Sequence, residues 1–259
     1  MQRTIIPFFL IVAVLFGFNL FFQNSTGDSI VDIVKPAFED TPTAAPDDDA
    51  EPEAPAKGEK DSGKKAELKS QSKRVAAALA GLDTIKATPA TRVPDYRRDE
   101  FGPAWADVDG NGCRTRDDIL ARDLTKVKTE DGCKVLSGVL KDPYTGKTIK
   151  FTFGEKTSQA VQIDHIVSLS GAWKGGAYKW DDERREQFAN DPANLLSVSG
   201  AVNASKSDKG PAKWMPRNAG NRGFDCEYAI RHTHILANYG LTAPSADIEM
   251  LRGTLERCS

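Results

Sequence analysis

The sequence predicts an α+β domain behind a non-globular leader, and three observations carry that expectation. Residues 161–206 read in order as strand, loop, strand, turn and helix. The chain of 259 residues is compositionally uneven, with a part rich in Pro, Ala and acidic residues that stops before residue 92. All four cysteines, Cys113, Cys133, Cys226 and Cys258, lie beyond that break. At a soft prior of ~150 residues per domain, residues 92–259 form one domain.

At the start, Ile5 to Phe22 is an apolar run behind Arg3, long enough for a spanning helix and slightly long for a signal-peptide core. Residues 1–27 therefore read as a signal peptide or a membrane anchor. Ser25-Thr26-Gly27 offers small residues for cleavage, while Phe21-Phe22-Gln23 is a poor approach to such a site, so both fates stay open. No cysteine follows the run, which excludes a bacterial lipoprotein. Arg3 favours a cytoplasmic start, placing the rest outside, either secreted or tethered to the outer face of the membrane. Residues 28–91 read as a disordered acidic linker, because Asp47-Asp48-Asp49 and the alternating prolines and acids cannot bury a core. Ser72 to Leu82 forms a short helix at its end, closed by Thr88-Pro89.

Next, Asp107, Asp109, Asn111 and Asp118 place oxygen donors at positions one, three, five and twelve of a loop with Gly112 at six, the pattern of a structural calcium site. Asp118 stands where such loops carry glutamate, and Asp-Gly-Asn-Gly is also an ordinary turn before a helix near Arg116 to Leu124. An even cysteine count in an exported chain implies two disulfides, with three pairings open. The local pairing, Cys113 with Cys133 and Cys226 with Cys258, is favoured because it leaves the segment between untouched; without CxxC spacing, zinc is disfavoured.

Val161-Gln162-Ile163 reads as a strand stopping at Asp164-His165, and Leu195-Leu196-Ser197-Val198 as its return. Ser199-Gly200 is a turn before a helix beginning near Ala201. Neighbouring strand residues point to opposite faces, so Asp164 and His165 share a site only if the strand ends there. Tyr228 to Tyr239 reads as a helix on which His232 and His234 lie two apart, about 200° around, a poor geometry for one zinc ion. The tryptophans Trp105, Trp173, Trp180 and Trp214 read as core and lid anchors.

The formal charge of −2 argues little, since residues 92–259 hold 25 Lys and Arg against 24 Asp and Glu. Locally, Lys206, Lys209, Lys213 and Arg217 make a basic stretch able to contact phosphates. Histidine titrates near neutral pH and suits the task of taking a proton from water. Asp164 and Asn203 offer hard oxygens for a divalent cation. The bland alternatives are a structural histidine, a strand-end acid and an N-cap asparagine.

At Asp164-His165, Asn194-Leu195 and Asn203 through Lys206 the chain resembles the HNH endonucleases. Tyr144-Thr145-Gly146, Ala172-Trp173, Phe188 through Leu195 and Trp214-Met215-Pro216 extend the match. The whole set is similar to exported actinobacterial HNH nucleases of the DUF1524 type, related to the C-terminal domain of GmrSD restriction enzymes, over about Tyr96 to Cys258. The resemblance implies a ββα-metal (His-Me finger) core with additional helices and a small β-hairpin region. It implies that His165 is the general base, that Asp164 and Asn203 bind one divalent cation, and that Asn194 completes the catalytic set by bracing the loop. The cation is Mg²⁺ in first place, with Mn²⁺ or Ca²⁺ as alternatives. Lys206 would face phosphate, and the substrate would be DNA, with RNA as an alternative. Two departures stand out: Asn203 occupies a position often held by histidine, and Ser168 replaces a common proline. A catalytically dead nucleic-acid-binding or surface module, and a zinc hydrolase, are the competing expectations.

Overall fold

The computed structural model describes residues 57–258, with side chains from residue 65 onward. The expected signal peptide or anchor at 1–27, and the linker as far as residue 56, lie outside the described residues. Among the described residues, no helix is long and apolar enough to cross a membrane.

The first helix corrects the expected linker. Instead of a short helix at Ser72 to Leu82, α1 runs from Lys57 to Thr84. Its C-terminal half carries apolar residues three to four positions apart, Val75, Ala78 and Leu82, and all three are buried. They join one core with Ala229, Ile230 and Leu236 of α6 (Asp225–Tyr239) and Leu251 and Leu255 of α7 (Ser245–Leu255). Arg74 donates through one nitrogen, Nη2, to both carboxylate oxygens of Glu227 at 2.9 and 2.7 Å. The folded body therefore begins before residue 92, because leaving this stripe in water would expose a face of the core.

The central part is sheet and short helices. Strands β1 (Leu124–Glu130), β2 (Lys134–Lys141) and β3 (Thr148–Thr152) form an antiparallel sheet in that order. Helix α2 (Thr115–Asp123) lies against it, and Ile119 and Leu120 share a core with Val135, Leu140, Phe151, Val161 and Leu195. Strands β4 (Val161–His165) and β5 (Leu195–Ser199) pair antiparallel, with Asp164 opposite Leu196 and His165 opposite Leu195. Helix α5 (Gly200–Lys206) follows at once. Gly200 is needed there, since a Cβ would overlap the Gln159 carbonyl. Between the two strands come α3 (Leu169–Lys174) and α4 (Asp182–Asn190). The fold is thus α+β, with the strand, loop, strand and helix where the sequence pattern predicts them.

Both disulfides take the local pairing, Cys113–Cys133 and Cys226–Cys258. A third apolar cluster, Tyr144, Ile166, Leu196, Val198, Trp214, Met215 and Tyr228, backs β4 and β5.

Candidate active site

His165 is the last residue of β4, where the pleat ends and the chain turns into α3. That ending resolves the alternation problem: Asp164 is buried and His165 half-buried, yet both line one cleft of about 370 Å³ with Asn203. The remaining lining includes Tyr96, Arg98, Ser168, Ser170 and Asp208.

The imidazole is held on one side. Its Nε2 lies 2.8 Å from the carbonyl oxygen of Ala189, near the C-terminal end of α4, where helix carbonyls lack internal partners. A carbonyl can only accept, so Nε2 carries the proton and Nδ1 keeps its lone pair. Trp105 stacks nearly parallel to the ring, 15° off at 6.4 Å between centroids. Trp105 itself adopts a left-handed backbone, φ 64°, unusual for a bulky residue. Burial lowers the His165 pKa to about 4, the Ala189 hydrogen bond opposes this, and the charges of Arg98 and Lys206 add to the lowering.

Asp164 receives two donors. The Tyr144 hydroxyl reaches Oδ2 at 2.5 Å, and Lys206 Nζ reaches Oδ1 at 3.0 Å. Burial pushes the Asp164 carboxyl up, against the opposing pull of Lys206 and Tyr144. Burial and the Asp164 charge also drive the Tyr144 phenol well above its ordinary value, so it stays a donor. Tyr144 is fixed in turn through Asp142, whose Oδ1 accepts from the backbone N–H of both Tyr144 and Ser199 at 3.2 Å.

Lys206 corrects an expectation. It is fully buried, and besides Asp164 it donates to the His165 carbonyl at 2.9 Å. A lysine so committed cannot face phosphate. Arg217 is also taken, by Asp225 at 2.6 Å and Thr254 at 3.1 Å, while Lys209 and Lys213 remain exposed. The predicted basic stretch therefore divides into two internal ties and two surface cations.

Asn203 sits within α5, not at its cap, which is Ser199. Its Nδ2 donates to Gln162 Oε1 at 3.0 Å, which leaves Oδ1 as the unbonded amide atom among the described residues. Asn194 is fully buried, and its side chain closes both ends of the Val167 peptide, Oδ1 from Val167 N at 2.9 Å and Nδ2 to Val167 O at 3.1 Å. Ser168, standing where proline is common, caps α3 by accepting from Gly171 N at 3.0 Å.

The donor set suits a hard divalent cation. Asp164 and Asn203 both line the cleft, and Asn203 Oδ1 carries no hydrogen bond among the described residues, while both Asp164 oxygens lie within reach of the Lys206 ammonium. Mg²⁺ is held by few protein ligands and keeps waters, so a small set of protein oxygens fits its chemistry. No three His, Cys, Asp or Glu side chains converge as a metal-binding group among the described residues. That removes support from the zinc reading: His232 is buried against Tyr228, and His234 Nε2 pairs with Asn238 at 2.7 Å. In the 107–118 loop, Asp107, Asp109 and Asp118 gather around Asn111: the first two accept from its backbone N–H at 3.1 and 3.2 Å, and Asp109 and Asp118 accept from its Nδ2 at 3.1 and 3.2 Å.

Sequence reasoning missed Arg98 in the cleft and the roles of Tyr144 and Ala189. The last two lie in motifs singled out above, but only the fold shows what they touch.

Comparison with known proteins adds to this geometry. An "Uncharacterized secreted protein" of Arthroderma benhamiae (strain ATCC MYA-4681 / CBS 112371) is 36% identical over 179 residues, 68% of this chain and 82% of that protein. No solved structure matches. Residues 114–252, more than half of the chain, match the family described as GmrSD restriction endonucleases, C-terminal domain. That segment contains Asp164, His165, Asn194 and Asn203, and the chain belongs to this nuclease-related family.

Proposed function

We propose that this chain is a metal-dependent HNH-type endonuclease that hydrolyses DNA phosphodiester bonds outside the cell with low sequence specificity. The observation that carries the reading is the meeting of His165, Asp164 and Asn203 in one cleft, with His165 Nε2 committed to the Ala189 carbonyl. Family membership supports a nuclease, and two formed disulfides together with a relative described as secreted support an extracellular site.

His165 is neutral at pH 7, and its free Nδ1 takes the proton from the water that attacks phosphorus in line. The Ala189 hydrogen bond keeps the ring from turning this lone pair away and steadies the imidazolium as it forms. Asp164 and Asn203 would hold the divalent cation, Mg²⁺ in first place, which would supply positive charge to offset that developing on the phosphate and the leaving oxygen. Lys206 and Tyr144 keep the Asp164 carboxylate in one orientation, and Asn194 fixes the backbone just beyond His165.

The test is plasmid degradation with Mg²⁺, with EDTA, and by His165→Ala. Cleavage by the wild type alone supports the reading, and cleavage that survives EDTA or the substitution sinks it.

A further inference from the structure

The cleft needs a cation for its anionic substrate, and Lys206 is not free to provide one. Its ammonium is fully buried and spent on Asp164 and the His165 carbonyl. Of the residues lining the cleft, Arg98 alone is a lysine or arginine. It is exposed, and no hydrogen bond or ion pair engages its guanidinium among the described residues. Its neighbour Arg97 behaves differently, paired with Glu100 at 2.6 Å and near Asp99 at 3.6 Å, and the acid that shares the cleft, Asp208, is engaged by Ser170 at 3.1 Å and lies 3.8 Å from Lys174.

The backbone beneath Arg98 is anchored to the core. Arg98 opens a short 3-10 helix, Arg98–Phe101, whose Phe101 is fully buried against Tyr96, Trp173 and Phe188 with ring centroids 6.1–6.2 Å away. Arg185 Nε ties the Glu100 carbonyl at 2.7 Å. A free guanidinium on a fixed stem, opening on the same cleft as His165 and Asn203, is the arrangement that forked phosphate recognition needs. Arg98 also precedes residues 114–252, so the family match says nothing of it.

We propose that Arg98 is the phosphate-binding residue of the cleft, its guanidinium donating to the non-bridging oxygens of the scissile phosphodiester. The inference rests on the hydrolytic reading above. No covalent step is assigned to Arg98; it holds the charge that His165-assisted attack places on the phosphate.

The experiment compares Arg98→Ala, Arg98→Lys and Arg97→Ala in the full chain. Plasmid cleavage in Mg²⁺ gives kcat/KM, and fluorescence anisotropy with a labelled DNA duplex gives affinity in a His165→Ala background that spares the substrate. Arg98→Ala is expected to lower kcat/KM and affinity by about 10- to 100-fold, the loss of one charged hydrogen-bonding group. The slope of log affinity against log salt should shrink by ~0.9, one phosphate contact. Arg98→Lys should recover part of the loss and Arg97→Ala should match the wild type. Melting temperatures should stay level, since Arg98 is exposed. Wild-type cleavage, affinity and salt slope in Arg98→Ala would overturn the proposal. If the unaltered chain cuts no DNA but Arg98→Ala in the His165→Ala background still weakens duplex binding, the hydrolytic reading falls and the Arg98 contact stands.

Discussion

Lys206 Nζ lies 3.0 Å from an Asp164 oxygen, and neither side chain is more than 6% exposed. Two opposite charges are thus shut away together, and the arrangement holds only while both are present. Lys206→Met should cost about 3–5 kcal/mol, because Asp164 is left buried without its cation. The melting temperature would fall by roughly 6–20 °C in a domain of this size. Lys209→Ala, on the exposed side of the same turn, should stay within about 0.5 kcal/mol of the wild type. Differential scanning calorimetry of the two variants checks the pair, and equal losses would contradict the burial described above.

The lowered pKa of His165 sets an acid limit on activity. A base must have a free lone pair to act, and Nδ1 of this ring takes up its proton only below about 4. The acid limb of kcat/KM should therefore lie near 4 and not near 6.5, with activity lost as the pH falls through that range. A plasmid-cleavage profile in which half the rate is gone by pH 6.5 would show the imidazole to be far wetter than its surroundings imply.

His232 places a second, independent proton problem in the core. It is buried, its Nδ1 lacks a partner, and burial, with a smaller push from the charge of Lys206, lowers its pKa from 6.5 to about 3. The unfolded chain therefore takes up a proton between those limits that the folded chain refuses. Stability from this group is whole above pH 6.5 and drains away as the pH falls toward 3, by up to about 4 kcal/mol. Urea unfolding of the wild type and His232→Phe across that window should give a shallower pH slope for the variant. Parallel slopes would assign the acid loss elsewhere.

Helix α1 should be indispensable in its C-terminal half. Leu82 is fully buried among residues of the core it shares with α6 and α7. Leu82→Ala should cost about 2–5 kcal/mol. A chain starting at Arg92 should lose near-ultraviolet circular dichroism while one starting at Lys57 keeps it. A native spectrum from the shorter chain would return the boundary to residue 92.

The strand, loop, strand and helix around His165 were legible because hydrophobic runs, turn residues and a strand end are local signals. The ends of β4 and β5 fall within about two residues of the sequence reading. The disulfide pairing was legible from the spacing of four cysteines. Lys206 was not, because its burial depends on Asp164, 42 residues away. A lysine beside other lysines reads as a solvated face until the fold closes over it. Arg98 was lost in Arg97-Arg98-Asp99-Glu100, where all four side chains look like surface charge and only the cleft distinguishes one of them. The extent of α1 was hidden by composition: its lysines and acids resemble the tether before it, and only Val75, Ala78 and Leu82 mark a buried stripe.

That stripe also governs when the molecule can be complete. Arg74 grips Glu227 across 153 residues of chain, and Asp83 meets Arg252 across 169. The first helix thus finds its seat only after the last helices have been synthesised, and such distant pairings are made late and slowly. Closure of the body between its first and last helices is deferred until α7 has been made.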